Sequence, residues 1–380
     1  MKHIAYITAE YPNKSMPPAG GIGSFVKVMA DSLVKEGYKV TIFLCFSEED
    51  KEWFDGDIRI VQIKKDNSKL AFLKSRWRIN RIIRKYIKKY DINIIESPDW
   101  EGLHAFCKFP IPLITRLHGS VTYFNALENK KNSLMIYFLE KLALMKSKSI
   151  VSVSDFAGKM TAKVFKIKQM QYKIIYNGVN IHDFTQEKLE VEPFTLLYFG
   201  TLVRKKGVLE LPFIFNEVVK KIPQAQLILA GKDTVDWIEK KSTWELMSQS
   251  FSEKAKKNVH YFGAVPYEKM SELIQKAIIC VFPSFAEAFP ISWLEAMAMK
   301  KVIVASDIGW AKESIENNKS GLLVNPKNHL EYAEKIVTLF NNVDLAEKIG
   351  QNARERVQNL FDQNKIIKQN IELYRSLCKN

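Results

Sequence analysis

Two series of short apolar runs, each interrupted by stretches of helical periodicity, constrain the fold of this chain most strongly. The first series is IAYIT (4–8), VTIFL (40–44), INIIE (92–96), LIT (113–115) and SIVSVS (149–154). The second is FTLLYFG (194–200), AQLILAG (225–231), NVHYFG (258–263), IICVFP (278–283), VIVAS (302–306) and GLLVN (321–325). Buried runs that alternate with helices indicate βαβ units and a parallel sheet. The pattern predicts an α/β protein with two Rossmann-like, doubly wound domains.

The polar segment TQEKLEVEP (185–193) separates the two series and ends in proline, so it is the best linker candidate. We predict an N-terminal domain over 1–189, a C-terminal domain over 190–362 and a C-terminal helix over 363–380. Open α/β sheets bind ligands beyond the carboxyl ends of their strands, so the two domains are expected to face a cleft. The last helix is amphipathic and is expected to pack back on the N-terminal domain, although periodicity alone does not identify its partner.

Composition excludes several classes of protein. Hydrophobic residues at 47% and charged residues at 26% are those of an ordinary globular chain, which excludes a disordered or fibrous protein. The four cysteines are far apart and form no C-x-x-C pair, which argues against a disulfide framework or a thiolate zinc site. The first apolar run is too short for a signal peptide, and none approaches the roughly 20 residues of a membrane span. We therefore expect a cytoplasmic location.

The net charge of +15 indicates an anionic partner, which could be nucleic acid, a phosphorylated small molecule or an acidic membrane. Segment 69–90 contains nine Lys or Arg residues and no Asp or Glu. Helical spacing relates six of its apolar residues, which are Leu70, Leu73, Trp77, Ile83, Ile87 and Tyr90. We expect this stripe to pack on the sheet and the cations to contact an anionic membrane surface. Nucleic-acid binding is disfavoured, because the chain has no zinc-finger spacing, RNP-type motif or repeat.

In each series, a glycine-bearing segment follows the first strand. PPAGGIGSFV (17–26) places Gly20, Gly21 and Gly23 before a helix, where backbone N–H groups can approach phosphate. It is neither G-x-G-x-x-G nor a Walker A loop, so it predicts no dinucleotide or ATP, and a turn without a ligand stays open. GTLVRKKGV (200–208) places cations beside a glycine, and a single well-aimed cation can bind a diphosphate. The alternative for that segment is a solvated basic turn.

The segment PSFAEAFPISWLEAMAMKKVIVAS (283–306) is the most informative. Pro290 is suited to the start of a helix, which places Glu287 in the preceding loop and Glu295 in the second helical turn. Buried carboxylates require partners, and sugar or ribose hydroxyls can donate to them. Eight residues of continuous helix span about 12 Å, whereas a retaining glycosidase pair needs about 5 to 5.5 Å. The spacing therefore does not favour hydrolysis.

Seven segments occur in an order that resembles the group 1 glycosyltransferases, glycosyltransferase family four, from about residue 4 to residue 377. They are GGIGSF (20–25), RLHGS (116–120), VSVSDFA (151–157), NGVN (177–180), GTLVRKKG (200–207), EAFPISWLEAMA (287–298) and SGLLVNP (320–326). The resemblance implies the two-domain GT-B fold, with acceptor binding by the N-terminal domain and nucleotide-sugar binding by the C-terminal domain. It also implies retaining transfer without a metal, and no cofactor beyond the nucleotide-sugar co-substrate.

The same resemblance implies roles for individual residues. Gly20, Gly21 and Gly23 would lie near the donor diphosphate and the acceptor. Lys206 would neutralise the diphosphate, Glu295 would hold the ribose, and Glu287 would contact the transferred sugar and join Lys206 as a catalytic residue.

Further implied contacts involve backbone and a histidine. The backbone of Phe289, Pro290, Ile291 and Ser292 would face the phosphates, and HYFGAV (260–265) would meet the base. His118 would lie near the transferred sugar as a catalytic residue; on the sequence alone, a general base and a structural histidine both stay open.

The sequence departs from the family pattern at two places. Thr201 stands where the family often has arginine, and Arg204 is the candidate replacement among the donor-binding residues. The family's E-G-F-G reads Glu287, Ala288, Phe289, Pro290 here, which leaves the identity of the sugar open.

Taken together, these features predict retaining transfer of a hexose-type sugar from a nucleotide-diphosphate sugar, with UDP favoured over GDP. The predicted acceptor is a lipid-linked, lipopolysaccharide or other polysaccharide precursor, reached at the inner face of the cell membrane. A nucleotide-sugar epimerase, a glycogen-type synthase and, ranked lower, a basic nucleic-acid-binding protein are the alternatives. The D-x-D sequence at 55–57 is expected to be a hairpin turn, because Asp-Gly favours such turns, and no metal is predicted.

Overall fold

The computed structural model describes residues 2–12, 20–68, 70–184 and 191–378, except the side chains of residues 267 and 268. The chain divides into two compact units, one formed by Met1–Asn177 with Asn364–Asn380 and the other by Gly178–Gln363. The boundary predicted at 189/190 lies outside the described residues, as does most of the linker predicted at 185–193.

Fourteen described strands form two sheets, one in each unit. The first sheet contains β1 (His3–Thr8), β2 (Lys39–Ser47), β3 (Lys51–Asp55), β4 (Ile58–Lys64), β5 (Ile94–Pro98), β6 (Leu113–Leu117), β7 (Ser149–Ser152) and β8 (Lys173–Ile174). The second contains β9 (Thr195–Phe199), β10 (Gln226–Ala230), β11 (Val259–Tyr261), β12 (Ile279–Phe282), β13 (Val302–Ser306) and β14 (Leu322–Val324). Their orders are β3-β4-β2-β1-β5-β6-β7-β8 and β11-β10-β9-β12-β13-β14. The pairing is parallel except in the β3–β4 hairpin, which confirms the predicted fold class.

Helices connect these strands. They are α1 (Gly21–Lys35), α2 (Ala71–Tyr90), α3 (Val121–Leu127), α4 (Leu134–Lys146), α5 (Asp155–Val164), α6 (Leu211–Lys221), α7 (Thr243–Ser250), α8 (Glu253–Lys256), α9 (Tyr267–Lys276), α10 (Ile291–Ala298), α11 (Ala311–Ser314), α12 (His329–Asn341), α13 (Val343–Arg356) and α14 (Gln363–Cys378). Short turns of tighter or wider helix lie at Trp100–Gly102, Ile181–Phe184, Arg204–Lys206, Val208–Glu210 and Val357–Phe361. No helix in the described ranges combines the length and the hydropathy that crossing a bilayer requires.

The C-terminal helix α14 belongs to the first unit, as predicted. Its residues Ile366, Ile367, Ile371, Leu373 and Tyr374 join the core on one face of the first sheet. A buried polar network also ties it to the strands. Arg116 of β6 donates to Glu96 of β5 at 2.6 Å and also to Asn370 of α14. The hydroxyl of Tyr374 donates to the same Glu96 at 2.7 Å.

The helix predicted at 69–90 is α2, but half of its predicted apolar stripe faces solvent. The buried residues include Ile79, Ile83 and Ile87, whose spacing of four places them on one side of the helix. Leu73 and Trp77 lie about a quarter turn or more from that side and are 39% and 62% exposed. The expectation that all six apolar residues pack on the sheet is therefore wrong.

The segment at 55–57 forms the turn that the sequence predicts. β3 and β4 pair antiparallel across it, from Asp55 opposite Ile58. Gly56 has a φ of 57°, which a glycine adopts without strain. The side chain of Asp55 accepts a hydrogen bond from the hydroxyl of Tyr11 at 2.7 Å.

Candidate active site

The strand order of the second sheet locates its ligand-binding edge. Counted along the chain within this unit, the order is the doubly wound 3-2-1-4-5-6, and it reverses between β9 and β12. Parallel sheets with this order bind ligands at the carboxyl ends of the strands beside the reversal point. The loop after β9 (200–207) is the basic segment identified from the sequence. The loop after β12 (283–290) is the segment that contains Glu287.

Backbone contacts hold these two loops together. Gly207 has a φ of 65°, and a Cβ there would lie only 1.8 Å from the carbonyl oxygen of Pro283. The amides of Phe285 and Ala286 both donate to the carbonyl of Lys205, at 2.8 and 3.1 Å. Only glycine permits this approach, so the position of the cationic turn depends on Gly207.

The loops after β10 and β11 reach the same edge of the sheet. A Cβ on Gly231 would lie 1.9 Å from the carbonyl oxygen of Gly200. The amide of Gly231 donates to the carbonyl of Gly263 at 2.7 Å, and the hydroxyl of Tyr261 donates to the carbonyl of Gly231 at 3.0 Å. The segment 260–265, predicted to meet the base, therefore begins at this edge.

Lys206 and Glu287 form an ion pair at the reversal point. The Lys206 Nζ lies 3.3 Å from the Glu287 Oε1, and the side chains are 23% and 11% exposed. The Ser284 hydroxyl donates to the same Oε1 at 3.2 Å. Burial, together with the negative charge of Glu287, raises the pKa of the Tyr198 hydroxyl, which keeps Tyr198 neutral. The structure thus brings together the two residues to which the sequence assigns catalysis in this unit.

Helix α10 begins directly after Pro290, and Glu295 lies in its second turn, as predicted. Glu295 is 8% exposed. The amides of Ile291 and Ser292 belong to the first helical turn, where no intrahelical acceptor exists and the helix dipole favours an anion. The ring of Phe289 is buried against Phe361, with ring centroids 5.3 Å apart.

Arg204 has a partner that sequence reasoning missed. Its Nε and Nη2 donate to the two carboxylate oxygens of Asp236 at 2.7 and 2.9 Å. The guanidinium of Arg204 lowers the pKa of Asp236, so the pair is ionised at neutral pH. The partners are far apart in sequence, and no local pattern links them. Thr201, the residue at the family's arginine position, is exposed, and its carbonyl accepts from the Tyr198 hydroxyl at 3.0 Å.

The predicted glycine loop of the first unit has a different arrangement. Gly21 and Gly23 lie inside α1, and residues 17–19 of the segment are outside the described ranges. The amides of Gly20 and Gly23 donate to the two carboxylate oxygens of Glu10, at 2.7 and 3.1 Å. Glu10 lies two residues after the end of β1. It was not identified from the sequence, although its position near the end of a strand could have indicated a role at this edge. A carboxylate of the protein itself therefore occupies the N-terminus of α1.

His118 follows β6, and its ring contacts the Phe25 ring edge to face, with centroids 4.6 Å apart. Its amide donates to the Asp99 Oδ1 at 3.0 Å. Burial, and then the positive charge of Arg116, lower the pKa of His118 to about 3. The ring is therefore neutral at physiological pH and is a weak proton acceptor, which favours a hydrogen-bonding role over general base catalysis.

Two buried carboxyl groups hold the loops around His118. Burial, and then the negative charge of Glu140, raise the pKa of Asp99 to about 8. The Asp99 Oδ2 is buried without a hydrogen-bond partner in the described part of the chain. Glu140 accepts from the amides of Glu101, Val121 and Thr122 at 3.1, 2.9 and 3.1 Å. Asp99 and Glu140 thus both accept hydrogen bonds from backbone amides.

Two family profiles match this chain. The profile described as glycosyl transferases group 1 matches residues 180–356, and the profile described as glycosyltransferase family 4 matches residues 19–183. The chain belongs to the group 1 glycosyltransferases. The two matches together cover residues 19–356, which contain every described strand except β1.

The curated relatives include glycosyltransferases with several acceptors. An uncharacterised glycosyltransferase of Methanocaldococcus jannaschii is 23% identical, covering 98% of this chain and 97% of the relative. The glycogen synthase of Mycobacterium tuberculosis is 21% identical over 94% of this chain and 91% of its own length. The Campylobacter jejuni N,N'-diacetylbacillosaminyl-diphospho-undecaprenol alpha-1,3-N-acetylgalactosaminyltransferase is 38% identical over 32% of each chain.

Solved structures share the fold over nearly the whole chain. The sucrose-phosphate synthase of Thermosynechococcus elongatus superimposes with a TM-score of 0.80 at 22% identity, covering 99% of both chains. The Anabaena protein HepE, solved in complex with UDP-glucose, has a TM-score of 0.75 at 19% identity, covering 99% of this chain and 100% of its own. These similarities establish the fold.

Proposed function

We propose that this enzyme transfers a hexosyl group from a nucleotide-diphosphate sugar, UDP in preference to GDP, with retention and without a metal ion. The observation that carries the proposal is the position of Lys206 at the reversal point of the second sheet, 3.3 Å from Glu287. The UDP-glucose complex of the similar Anabaena protein supports the choice of UDP.

The chemistry follows from charge development. Cleavage of a glycosyl–phosphate bond places negative charge on the leaving diphosphate, and a fixed cation with oriented amides stabilises that charge. Lys206 and the first amides of α10 supply these groups. Glu287 and Glu295 accept hydrogen bonds from sugar and ribose hydroxyls, because an ionised carboxylate is purely an acceptor. The glycines at 20, 21 and 23 stay predicted neighbours of the donor and the acceptor. Because Glu10 accepts from the amides of Gly20 and Gly23, we do not expect these two amides to hold the diphosphate.

Retention is proposed to result from attack on the same face of the sugar as the leaving group. In that step the acceptor oxygen bonds to the sugar carbon, the carbon–phosphate oxygen bond breaks, and the leaving phosphate oxygen takes the acceptor's proton. The low pKa of His118 supports this route, since its imidazole is a weak base.

The proposed acceptor is a lipid-linked or polysaccharide precursor, met by a cytoplasmic enzyme at the inner face of the cell membrane. The Campylobacter relative, named for a diphospho-undecaprenol acceptor, supports this class. The cations of α2 support contact with an anionic membrane. A glycogen-type synthase is the second candidate, favoured by the similarity to the mycobacterial glycogen synthase, and transfer to soluble glucan instead of lipid-linked acceptors would identify it.

The donor is tested by thermal shift with UDP, GDP, ADP and CMP sugars. A ligand that binds only the folded state raises the melting temperature, and we expect the largest rise with a UDP sugar. The absence of a shift with all four, together with the absence of transfer, would contradict the proposal.

Lys206→Ala and Glu295→Ala test the site itself. Each is expected to lower kcat/KM at least tenfold, equivalent to about 1.4 kcal/mol of transition-state binding. Lys205→Ala is the matched control, because it removes the same charge one residue away, and we expect less than a twofold change. Near-normal kinetics in both site variants would contradict the assignment.

A further inference from the structure

Helix α4 is apolar on a face that the first unit leaves uncovered. Its inner side contains the buried residues Leu139, Glu140, Ala143 and Leu144. On the opposite side Leu134, Phe138 and Met145 are 86%, 56% and 69% exposed. Positions 134, 138 and 145 lie on one face of a helix, because their spacings of four and seven residues are near whole turns. Exposed apolar patches on a soluble protein mark interaction sites, so this face calls for a partner.

The outer face of α2 has the same character. Leu73 and Trp77 are exposed there, one turn apart, rather than packed on the sheet. The guanidinium of Arg81 lies 5.3 Å from the centre of the Trp77 ring, so cations and apolar groups alternate along this face. Such a mixture is typical of helices that lie in the boundary between headgroups and acyl chains.

The two helices flank one turn of the backbone, Trp100–Gly102. Arg76 of α2 donates to the carbonyl of Gly102 at 2.9 Å and also to that of Glu101. Glu140 of α4 accepts from the amide of Glu101 at 3.1 Å. Both helices also connect parallel strands that advance in the same direction across the sheet, α2 from β4 to β5 and α4 from β6 to β7. Right-handed crossovers therefore place both helices on the same face of the first sheet. We call the outer faces of α2 and α4 the α2–α4 surface.

The charge of this surface selects among partners. α2 contains eight Lys or Arg residues and no acidic residue. The single acidic residue of α4 is the buried Glu140. The cations in and beside this helix are Lys131, Lys141, Lys146 and Lys148, together with Lys130, which is paired with Glu128. A second copy of the chain would bring like charges together, whereas anionic lipid headgroups attract them and acyl chains cover the apolar residues.

We infer that the α2–α4 surface binds an anionic lipid bilayer, with Leu134, Phe138 and Trp77 inserted at the headgroup–acyl boundary. The inference rests on the membrane contact proposed above for the cations of α2, and it adds the insertion of apolar side chains into the bilayer. The cations of α2 then provide attraction at a distance, and α4 provides the apolar area that anchors the enzyme.

The test is co-sedimentation of the full chain with phosphatidylcholine vesicles, with and without phosphatidylglycerol. We expect binding to the anionic vesicles and at least tenfold weaker binding by the double variant Leu134→Ser, Phe138→Ser. The matched control is Leu330→Ser, Val343→Ser in the second unit, where the side chains are 63% and 58% exposed, and we expect less than a twofold change. A third variant, Arg81→Gln, Lys85→Gln, Lys88→Gln, is expected to lose the preference for phosphatidylglycerol.

The outcomes separate the inference from the function on which it rests. If the α4 variant binds as the unaltered chain does while the α2 variant does not, the insertion of α4 is refuted and the electrostatic contact survives. If the unaltered chain binds neither vesicle, both membrane claims fail, while transfer to a short soluble acceptor still tests the enzyme. If analytical ultracentrifugation shows a dimer that the α4 variant abolishes, the surface joins two copies and the lipid inference is overturned. Unchanged transfer to a soluble acceptor shows that the α4 variant is folded.

Discussion

The carboxyl edges of the two sheets differ in how they place their carboxylates. At the second sheet, Glu287 forms an ion pair with Lys206 in the loop that leads to α10. At the first sheet, Glu10 and Glu140 direct carboxylates to the amides at the start of α1 and α3. Both sheets are largely parallel, so the loops decide whether an internal carboxylate accepts from the first amides of a helix.

The difference has a physical basis in how helices begin. The first amides of a helix lack intrahelical acceptors, and either a side chain or a ligand satisfies them. A carboxylate already occupies this position at α1 and α3. α10 begins after Pro290, whose side chain has no acceptor to offer, so its first amides are suited to phosphate.

The largest expected effect comes from Gly207→Ala. The new Cβ meets the Pro283 carbonyl at 1.8 Å and also demands a left-handed backbone. We expect a loss of about 3 kcal/mol in the free energy of unfolding and loss of UDP binding. Gly56→Ala is the control, because Gly56 has a φ of 57° and open space around it, and about 1–2 kcal/mol is expected. Equal losses in urea titrations of the two variants would refute the close approach of the loops.

The next largest effect is a pH dependence of stability caused by Asp99 of the first unit. The pKa of Asp99 is raised to about 8, so the folded state binds a proton that the unfolded chain releases near pH 4. The protonated Asp99 therefore contributes to stability at low pH, and this contribution is lost as the pH rises towards 8. Between pH 6 and 8 this loss is about 2 kcal/mol.

Asp99→Asn should remove this pH dependence, because the amide imitates the protonated carboxyl group. The measurement is chemical unfolding of both proteins at pH 6 and pH 8. Parallel pH profiles of the two proteins would mean that Asp99 is already ionised in the folded state at pH 6, which would contradict its raised pKa.

The smallest effect is expected from Glu10→Gln. It removes the charge that faces the first amides of α1, and we expect a loss of about 0.5–1 kcal/mol in stability. The affinity for UDP, measured by calorimetry, should change less than twofold. Tighter binding of UDP would mean that the amides of Gly20 and Gly23 hold the diphosphate, and it would break the comparison between the two edges.

Much of the fold was predictable because local patterns specify it. The buried strand runs, the turn at 55–57, the start of α10 after Pro290 and the placement of Glu295 all depend on neighbouring residues. The apolar stripe of α14 also indicated a packed helix, and its partner became clear only from the buried network with Glu96 and Arg116.

The rest depended on contacts between distant residues. Arg204 and Asp236 meet because the loops after β9 and β10 are adjacent in the sheet, which the order of strands along the chain does not reveal. The exposed face of α2 was mispredicted because helical spacing identifies an apolar stripe but not which part of it meets the sheet. Glu10 was overlooked because only the folded turn brings it to Gly20 and Gly23.

A crystal structure of the enzyme with UDP tests the central claim most directly. We predict diphosphate oxygens within about 3 Å of the Lys206 Nζ and of the amides of Ile291 and Ser292, with Glu295 on the ribose. The Glu10 carboxylate should stay on Gly20. A diphosphate held by first-unit amides alone, with Lys206 and Glu295 turned away from it, would contradict this account.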